Sequence, residues 1–211
     1  THTNAITTLT NSDNSSFTVS GSQQLTLTLS AGTAIGSKVD GSAMTGKLIV
    51  SGSSGTGFGD ILIGGAGADT IGGLKGADKM TGGAGADTFT FVGTAGANEN
   101  GATFGTFDEI TDFVAGTDKL QFSGVTDVVS AQQAAVQTAV SALASNATAA
   151  QIATAMATAN TTNLGVSFAT FGGNTYALYE TTGASTGAVA DDVFIKLTGV
   201  TTVPTFAVYV V

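Results

Sequence analysis

The sequence predicts a mainly β fold, a solenoid of short parallel strands followed by a small α+β region. Three observations predict it. A nine-residue pattern repeats in the middle of the chain, strand-period alternation of apolar and hydroxyl residues precedes it, and two helical stretches with further alternating segments follow it.

The repeat comes first. Residues 64–72 read GGAGADTIG, 73–81 GLKGADKMT and 82–90 GGAGADTFT, and 55–63, GTGFGDILI, fit the same frame less well. Asp60, Asp69, Asp78 and Asp87 fall nine residues apart, and Leu62, Ile71, Met80 and Phe89 each follow two residues later. The glycine-rich six residues are too permissive for a helix or strand interior and suit a turn. Turn carbonyls and the Asp carboxylate then face one cation. The last three residues make a very short strand whose middle side chain points inward. Two nonapeptides complete one coil of 18 residues, so repeats one and three stack on one side and repeats two and four on the other.

This stretch resembles the RTX (repeats-in-toxin) calcium-binding family, whose repeat is GGxGxDxUx. The resemblance implies a right-handed parallel β-roll, a β-helix solenoid with calcium-binding nonapeptide turns. In that family each Ca2+ sits between stacked turns, held by turn carbonyls and by the position-six Asp of repeats i and i+2. Carried over, this pairs Asp60 with Asp78 and Asp69 with Asp87. The matching turn glycines are Gly64, Gly65, Gly67, Gly73, Gly76, Gly82, Gly83 and Gly85. Two residues depart from the pattern: Leu74 replaces the second Gly of repeat three, and Phe58 the fourth-position Gly of repeat one. The bland alternative is a metal-free glycine-rich solenoid or a linker. Stacked carboxylates repel one another without a cation, so the same aspartates predict folding coupled to metal.

Residues 104–122 read FGTFDEITDFVAGTDKLQF. The Asp108, Ile110, Asp112, Phe113 spacing and the Gly116, Asp118 pair resemble the segment that closes RTX rolls in secreted proteases and surface-layer proteins. The resemblance implies that Asp108, Asp112 or Asp118 completes a site on the last coil. The alternative is a capping strand with solvated carboxylates. Upstream, FTV, LTLTL, SKVDGSAMTG and KLIV predict further coils without the Asp.

Downstream, Val129, Val136, Val140 and Leu143 share one helical face over 129–144, and Ser130 with Gln133 forms a capping-box pattern. Thr148 and Gln151 repeat that pattern before a second helix near 149–159, with Ile152 and Met156 inward. LGVSFATF, NTYALYE, VFIKLTG and FAVYVV then read as antiparallel strands, with Gly172-Gly173 marking a hairpin. The chain thus divides into 1–54, coils without the calcium motif; 55–122, the calcium-binding roll and its closing segment; and 123–211, a helical hairpin plus strands that cap the solenoid and carry a secretion signal.

Composition narrows the function. Of 211 residues, 36 are Thr, 32 Ala and 30 Gly, so the core is thin. Six Lys and no Arg against fifteen acids give a net charge of −9, which disfavours nucleic acid. There is no Cys, and the single His is His2, which excludes thiolate zinc sites and His-based triads. No apolar run approaches a membrane span, and no Sec-type signal is visible. Acids with few soft ligands point to hard cations, above all calcium.

The leading expectation is a non-catalytic calcium-binding C-terminal region of a bacterial S-layer protein, read as a fragment because it opens without Met. RTX membership implies a type I exporter as partner, an extracellular cell-surface location and folding after export. Self-association into a surface lattice would follow. The alternatives are an accessory RTX domain of a secreted hydrolase, or a calcium-dependent adhesin module using Phe58, Phe104 and Phe107 or Tyr176 and Tyr179. The acidic pairs Asp108-Glu109 and Asp191-Asp192 sit on adjacent residues, which point to opposite faces of a strand and share no site.

Overall fold

A computed structural model describes residues 4–9, 15–29, 36–54, 59–92, 107–123, 127–128, 132–160, 165–180, 192–203 and 208–210. The first half is a series of short strands: β1 (Asn4–Leu9), β2 (Ser16–Gly21), β3 (Leu25–Leu29), β4 (Lys38–Met44), β5 (Leu48–Ser51), β6 (Ile61–Ile63), β7 (Thr70–Gly72), β8 (Lys79–Thr81), β9 (Thr88–Val92), β10 (Asp108–Ile110) and β11 (Lys119–Ser123). Consecutive strands enter opposite sheets. The odd-numbered ones line up as β1-β3-β5-β7-β9-β11, and the even-numbered ones as β2-β4-β6-β8-β10. Every pair in these two rows is parallel.

The register is the one the nonapeptide spacing predicts. Leu62 lies beside Met80, and Ile71 beside Phe89, eighteen residues apart in both cases. All four side chains are fully buried between the sheets. They continue a single apolar column that begins at Leu25 and Leu27 in β3, passes Val39, Leu48 and Val50, and reaches Phe91, Ile110, Leu120 and Phe122. One inward side chain per three-residue strand is enough because the two rows share one core. Two phenylalanine pairs thicken it near β9 and β11, Phe91 on Phe122 at 5.3 Å and Phe89 on Phe113 at 6.2 Å between ring centroids.

The second half adds β12 (Asp127–Val128), α1 (Gln133–Ser141), α2 (Ala149–Ala159), β13 (Gly165–Phe171), β14 (Asn174–Tyr179), β15 (Val193–Leu197) and β16 (Val208–Val210). The hairpin at Gly172-Gly173 forms, with both glycines at positive φ, and β13–β14 and β14–β15 are antiparallel. β15 then extends the even-numbered row by pairing parallel to β10, and β16 extends the odd-numbered row by pairing parallel to β11. The expectation that all the C-terminal strands are antiparallel is therefore corrected. Each of these two extends a row whose direction its parallel strands already set.

The second helix begins as the sequence predicts. The Thr148 hydroxyl accepts from the Gln151 amide, and the Gln151 side chain accepts from the Thr148 amide at 2.8 Å. The first helix does not. It spans Gln133–Ser141 rather than 129–144, with Gln132 as N-cap and no side-chain cap; Val129 and Ser130 lie outside the described residues. Gln133 is drawn away from the capping box by the sheet beneath it. Its side chain brackets the Phe168 peptide group, accepting from the Phe168 amide at 3.0 Å and donating to the Phe168 carbonyl. Gln137 does the same one turn later at Thr170. Val136, Val140, Ile152 and Met156 pack with Leu178, Phe194 and Tyr176 in a second core between the helices and the hairpin.

Candidate metal centre

The position-six aspartates sit at the turn between each glycine-rich segment and its strand. Asp60, Asp69, Asp78 and Asp87 are each 1% exposed, as is Asp108. Burying an unpaired carboxylate is costly, so its oxygens must find donors or a cation. Here each carboxylate reaches the backbone beside the neighbouring strand of its row. Asp78 Oδ1 accepts from the Asp60 amide at 2.6 Å, and Asp87 Oδ1 from the Asp69 amide at 2.8 Å. The two stacked pairs read from the sequence are thus neighbours in space, joined carboxylate to amide.

The stacks run further than the repeats. Asp60 Oδ1 accepts from the Ser37 amide and Asp69 Oδ1 from the Leu48 amide, both at 2.7 Å. At the other end Asp108 Oδ1 accepts from the Asp78 amide at 2.8 Å, and Asp118 Oδ1 from the Asp87 amide at 3.0 Å. The result is two ladders, one through Ser37, Asp60, Asp78 and Asp108, the other through Leu48, Asp69, Asp87 and Asp118. Asp112 closes the last turn by taking the Gly82 amide at 2.9 Å and the Gly83 amide at 2.8 Å. Asp108 and Asp118 of the closing segment therefore continue the two ladders, each where a further repeat would put its Asp, whereas Asp112 makes a contact of its own.

Within a turn, the second carboxylate oxygen folds back. Asp69 Oδ2 accepts from the Gly65 amide at 2.6 Å, and Asp60 Oδ2 from the Ser53 amide at 2.7 Å. The position-one residue must then be glycine. A Cβ on Gly82 would lie 2.9 Å from the Asp87 Cγ, and one on Gly73 or Gly64 would strike the carboxylate of its own turn. In the first turn this role falls to Gly52, whose Cβ would meet Asp60 Oδ2 at 2.8 Å. The nonapeptide frame does not reach Gly52 and Ser53, because this turn's glycine and its Asp stand eight positions apart rather than five. The GS dipeptide before GTGFGD was the available signal. Gly76, Gly83 and Gly85 take positive φ, and so does Leu74 at 65°, in the place of a repeat glycine. Gly67 packs under Gly85, its carbonyl against the position a Cβ would take. Phe58 lies outside the described residues.

Residues 54–89 match the family model of the RTX calcium-binding nonapeptide repeat, in four copies. These are RTX repeats. A search of the curated proteins finds no match.

The RTX turns suit a hard divalent cation by the chemistry of their donors. The set is all oxygen, from carboxylates and from the carbonyls of glycine-rich turns, which is the donor type Ca2+ takes. Among the described residues no cluster of three or more carboxylates converges to hold an ion alone. An ion would therefore be shared between Asp69 and Asp87, or between Asp60 and Asp78, with turn carbonyls completing its shell. A carboxylate that accepts one or two amide hydrogen bonds keeps lone pairs for this. The electrostatics favour it too. Burial, followed by the charges of Asp118, Asp69 and Asp112, pushes the Asp87 carboxyl up to about 6 from 3.8. A bound dication would reverse that shift.

The aromatic groups considered for recognition are placed otherwise. Tyr179 is fully buried against Phe122 and Tyr176 is stacked on Phe194 at 5.6 Å, so neither forms a surface patch. Phe107 packs edge-on to Phe194 at 6.2 Å, under the Lys196 ammonium, and Phe104 lies outside the described residues. Asp108 and Glu109 do point to opposite faces. Asp108 enters the ladder, while Glu109 meets Lys196 at 3.0 Å, the Thr198 hydroxyl at 2.6 Å and, more distantly, Lys79. Those contacts, led by Thr198 and then Lys196, lower the Glu109 pKa.

Proposed function

We propose that this chain is the non-catalytic, calcium-binding part of a secreted bacterial S-layer protein. Its RTX coils wind as a β-roll that forms when calcium binds. The observation that carries the reading is the pair of ladders of buried aspartates. Like charges stacked at successive coils oppose folding in the absence of a cation. In the low-calcium cytosol the coils would stay unfolded and pass through a type I exporter. Outside, millimolar calcium would fold them by mass action, and the folded chain would support a surface lattice. The absence of Cys and Arg, with a single His at position 2, leaves few groups to activate a nucleophile, which favours a structural role.

The test is far-UV circular dichroism with light scattering while calcium is titrated into chelator-treated protein. A cooperative gain of β signal together with particle growth is the expected result. A gain without growth would favour an accessory domain of a secreted hydrolase. No change in either signal would overturn the calcium-folding reading.

A further inference from the structure

The helical hairpin turns a face without charge to solvent. Residues 128–179 hold no Asp, Glu, Lys, Arg or His, although 10% of the chain is charged. All fifteen acids and all six Lys therefore lie outside this stretch. A helix on a solvated surface ordinarily carries charged side chains on its outer face, and charges of the right sign stabilise its ends. Here neither helix has an acid in its first turn or a base in its last.

The hydroxyls on this face are satisfied within the helices. Thr138, Thr154 and Thr158 are exposed, and they donate to the carbonyls of Ala134, Ala150 and Thr154 at 2.8, 2.8 and 2.7 Å. Such back-bonded hydroxyls need no water partner, so each Thr adds chiefly a methyl group to the surface. Beside Thr154 lies an open, almost wholly apolar groove lined by Leu143, Ala150, Gln151, Thr154 and Ala155.

Charge selects the occupant. Helices that lie on a membrane carry Lys or Arg on the polar face and large apolar anchors such as Trp or Phe, and α1 and α2 have none of these. A second copy of the chain brings the same net charge of −9 and is repelled except where both surfaces are neutral. The hairpin face is where two copies meet at the least electrostatic cost. Ala loses no side-chain entropy on contact, and small side chains let helices approach closely.

We propose that the outer face of α1 and α2 is a self-association surface, covered by the same face of a second copy in an isologous contact. This rests on the self-association part of the proposed function and not on how calcium is held.

Sedimentation velocity of the calcium-loaded full chain tests it, with Thr154→Glu/Thr158→Glu and Thr154→Lys/Thr158→Lys. Glu and Lys are better helix formers than Thr, and far-UV circular dichroism checks that both variants fold. The parent should associate reversibly with concentration. Each variant alone should associate about tenfold more weakly, because like charges then face each other. The Lys variant carries less net charge than the parent, so its dispersal would not come from general repulsion. An equimolar mixture of the two should associate again, as opposite charges meet. Association at parent strength in both variants would overturn this face and leave the lattice reading in place. A parent that stays monomeric would overturn both. A mixture that stays dispersed would overturn the contact between like faces. Should the α2 variants fail to fold, Thr138→Glu and Thr138→Lys on α1 make the same comparison with the same outcomes.

Discussion

Replacing Asp69 with Asn separates two roles that the structure gives one side chain. Asp69 accepts from the Leu48 amide at 2.7 Å and from the Gly65 amide at 2.6 Å. An Asn amide keeps one acceptor oxygen and turns an NH2 toward the other donor. One buried amide then loses its partner, at a cost of about 1–3 kcal/mol. Ile71→Val, two residues later in the same coil, removes one buried methylene and costs about 0.5–1.5 kcal/mol. On stability alone the two variants are alike. They differ in linkage, because each bound ion adds about RT ln(1 + [Ca2+]/Kd) to folding. A purely destabilised chain needs more calcium to fold but keeps the steepness of its titration. A chain that has lost a ligand folds with a shallower titration. The assay is β signal against free calcium for parent, Asp69→Asn and Ile71→Val. The account predicts a shifted but equally steep curve for Ile71→Val and a shifted, shallower one for Asp69→Asn. Equal steepness in all three would refute the ligand role and leave Asp69 as an acceptor for amides only.

Other perturbations follow from the same geometry. Phe89→Ala, in the fully buried column beside Ile71 and Phe113, should cost about 3–5 kcal/mol in denaturant unfolding with calcium present. Leu74→Gly should raise stability by about 0.5–1 kcal/mol, because Leu74 holds φ at 65° and its relief exceeds the added chain entropy; a loss of stability would contradict this. Gly82→Ala should raise the calcium needed for folding by driving a Cβ into the Asp87 carboxylate, and an unchanged midpoint would count against the turn geometry. The pH dependence without calcium has a definite sign. Glu180 is raised from 4.5 to about 7 and Asp87 from 3.8 to about 6, so the native state holds protons that the unfolded chain has released. Stability is present at low pH and lost as pH rises through those values, by about 3 kcal/mol for Glu180. In chelator the folded fraction should therefore be higher at pH 5 than at pH 8, and the opposite order would contradict the assignment.

Much of this was legible in the sequence because the nonapeptide period is a geometric statement. Nine residues per turn-plus-strand places Leu62 on Met80 and Ile71 on Phe89, and the structure pairs them so. The same period stacks Asp60 with Asp78 and Asp69 with Asp87. What stayed hidden were partners supplied by backbone. The amides of Ser37 and Leu48 extend the ladders without any acidic residue to mark them. Gly52 and Ser53 were missed because the first turn is longer than the fixed frame allows. Gln133 reads locally as a capping residue, but its contact is the Phe168 peptide, thirty-five residues away. The parallel direction of β16 is likewise set by β11, and no local pattern in Val208–Val210 encodes it.

The central claim, that the buried aspartates of the RTX turns bind calcium, is tested most directly by counting ions. Equilibrium dialysis at millimolar free calcium, with metal measured in the retained protein, should find calcium bound to the parent. It should find less on the double variant Asp69→Asn/Asp87→Asn. Equal calcium on both, or none on the parent, would contradict the account.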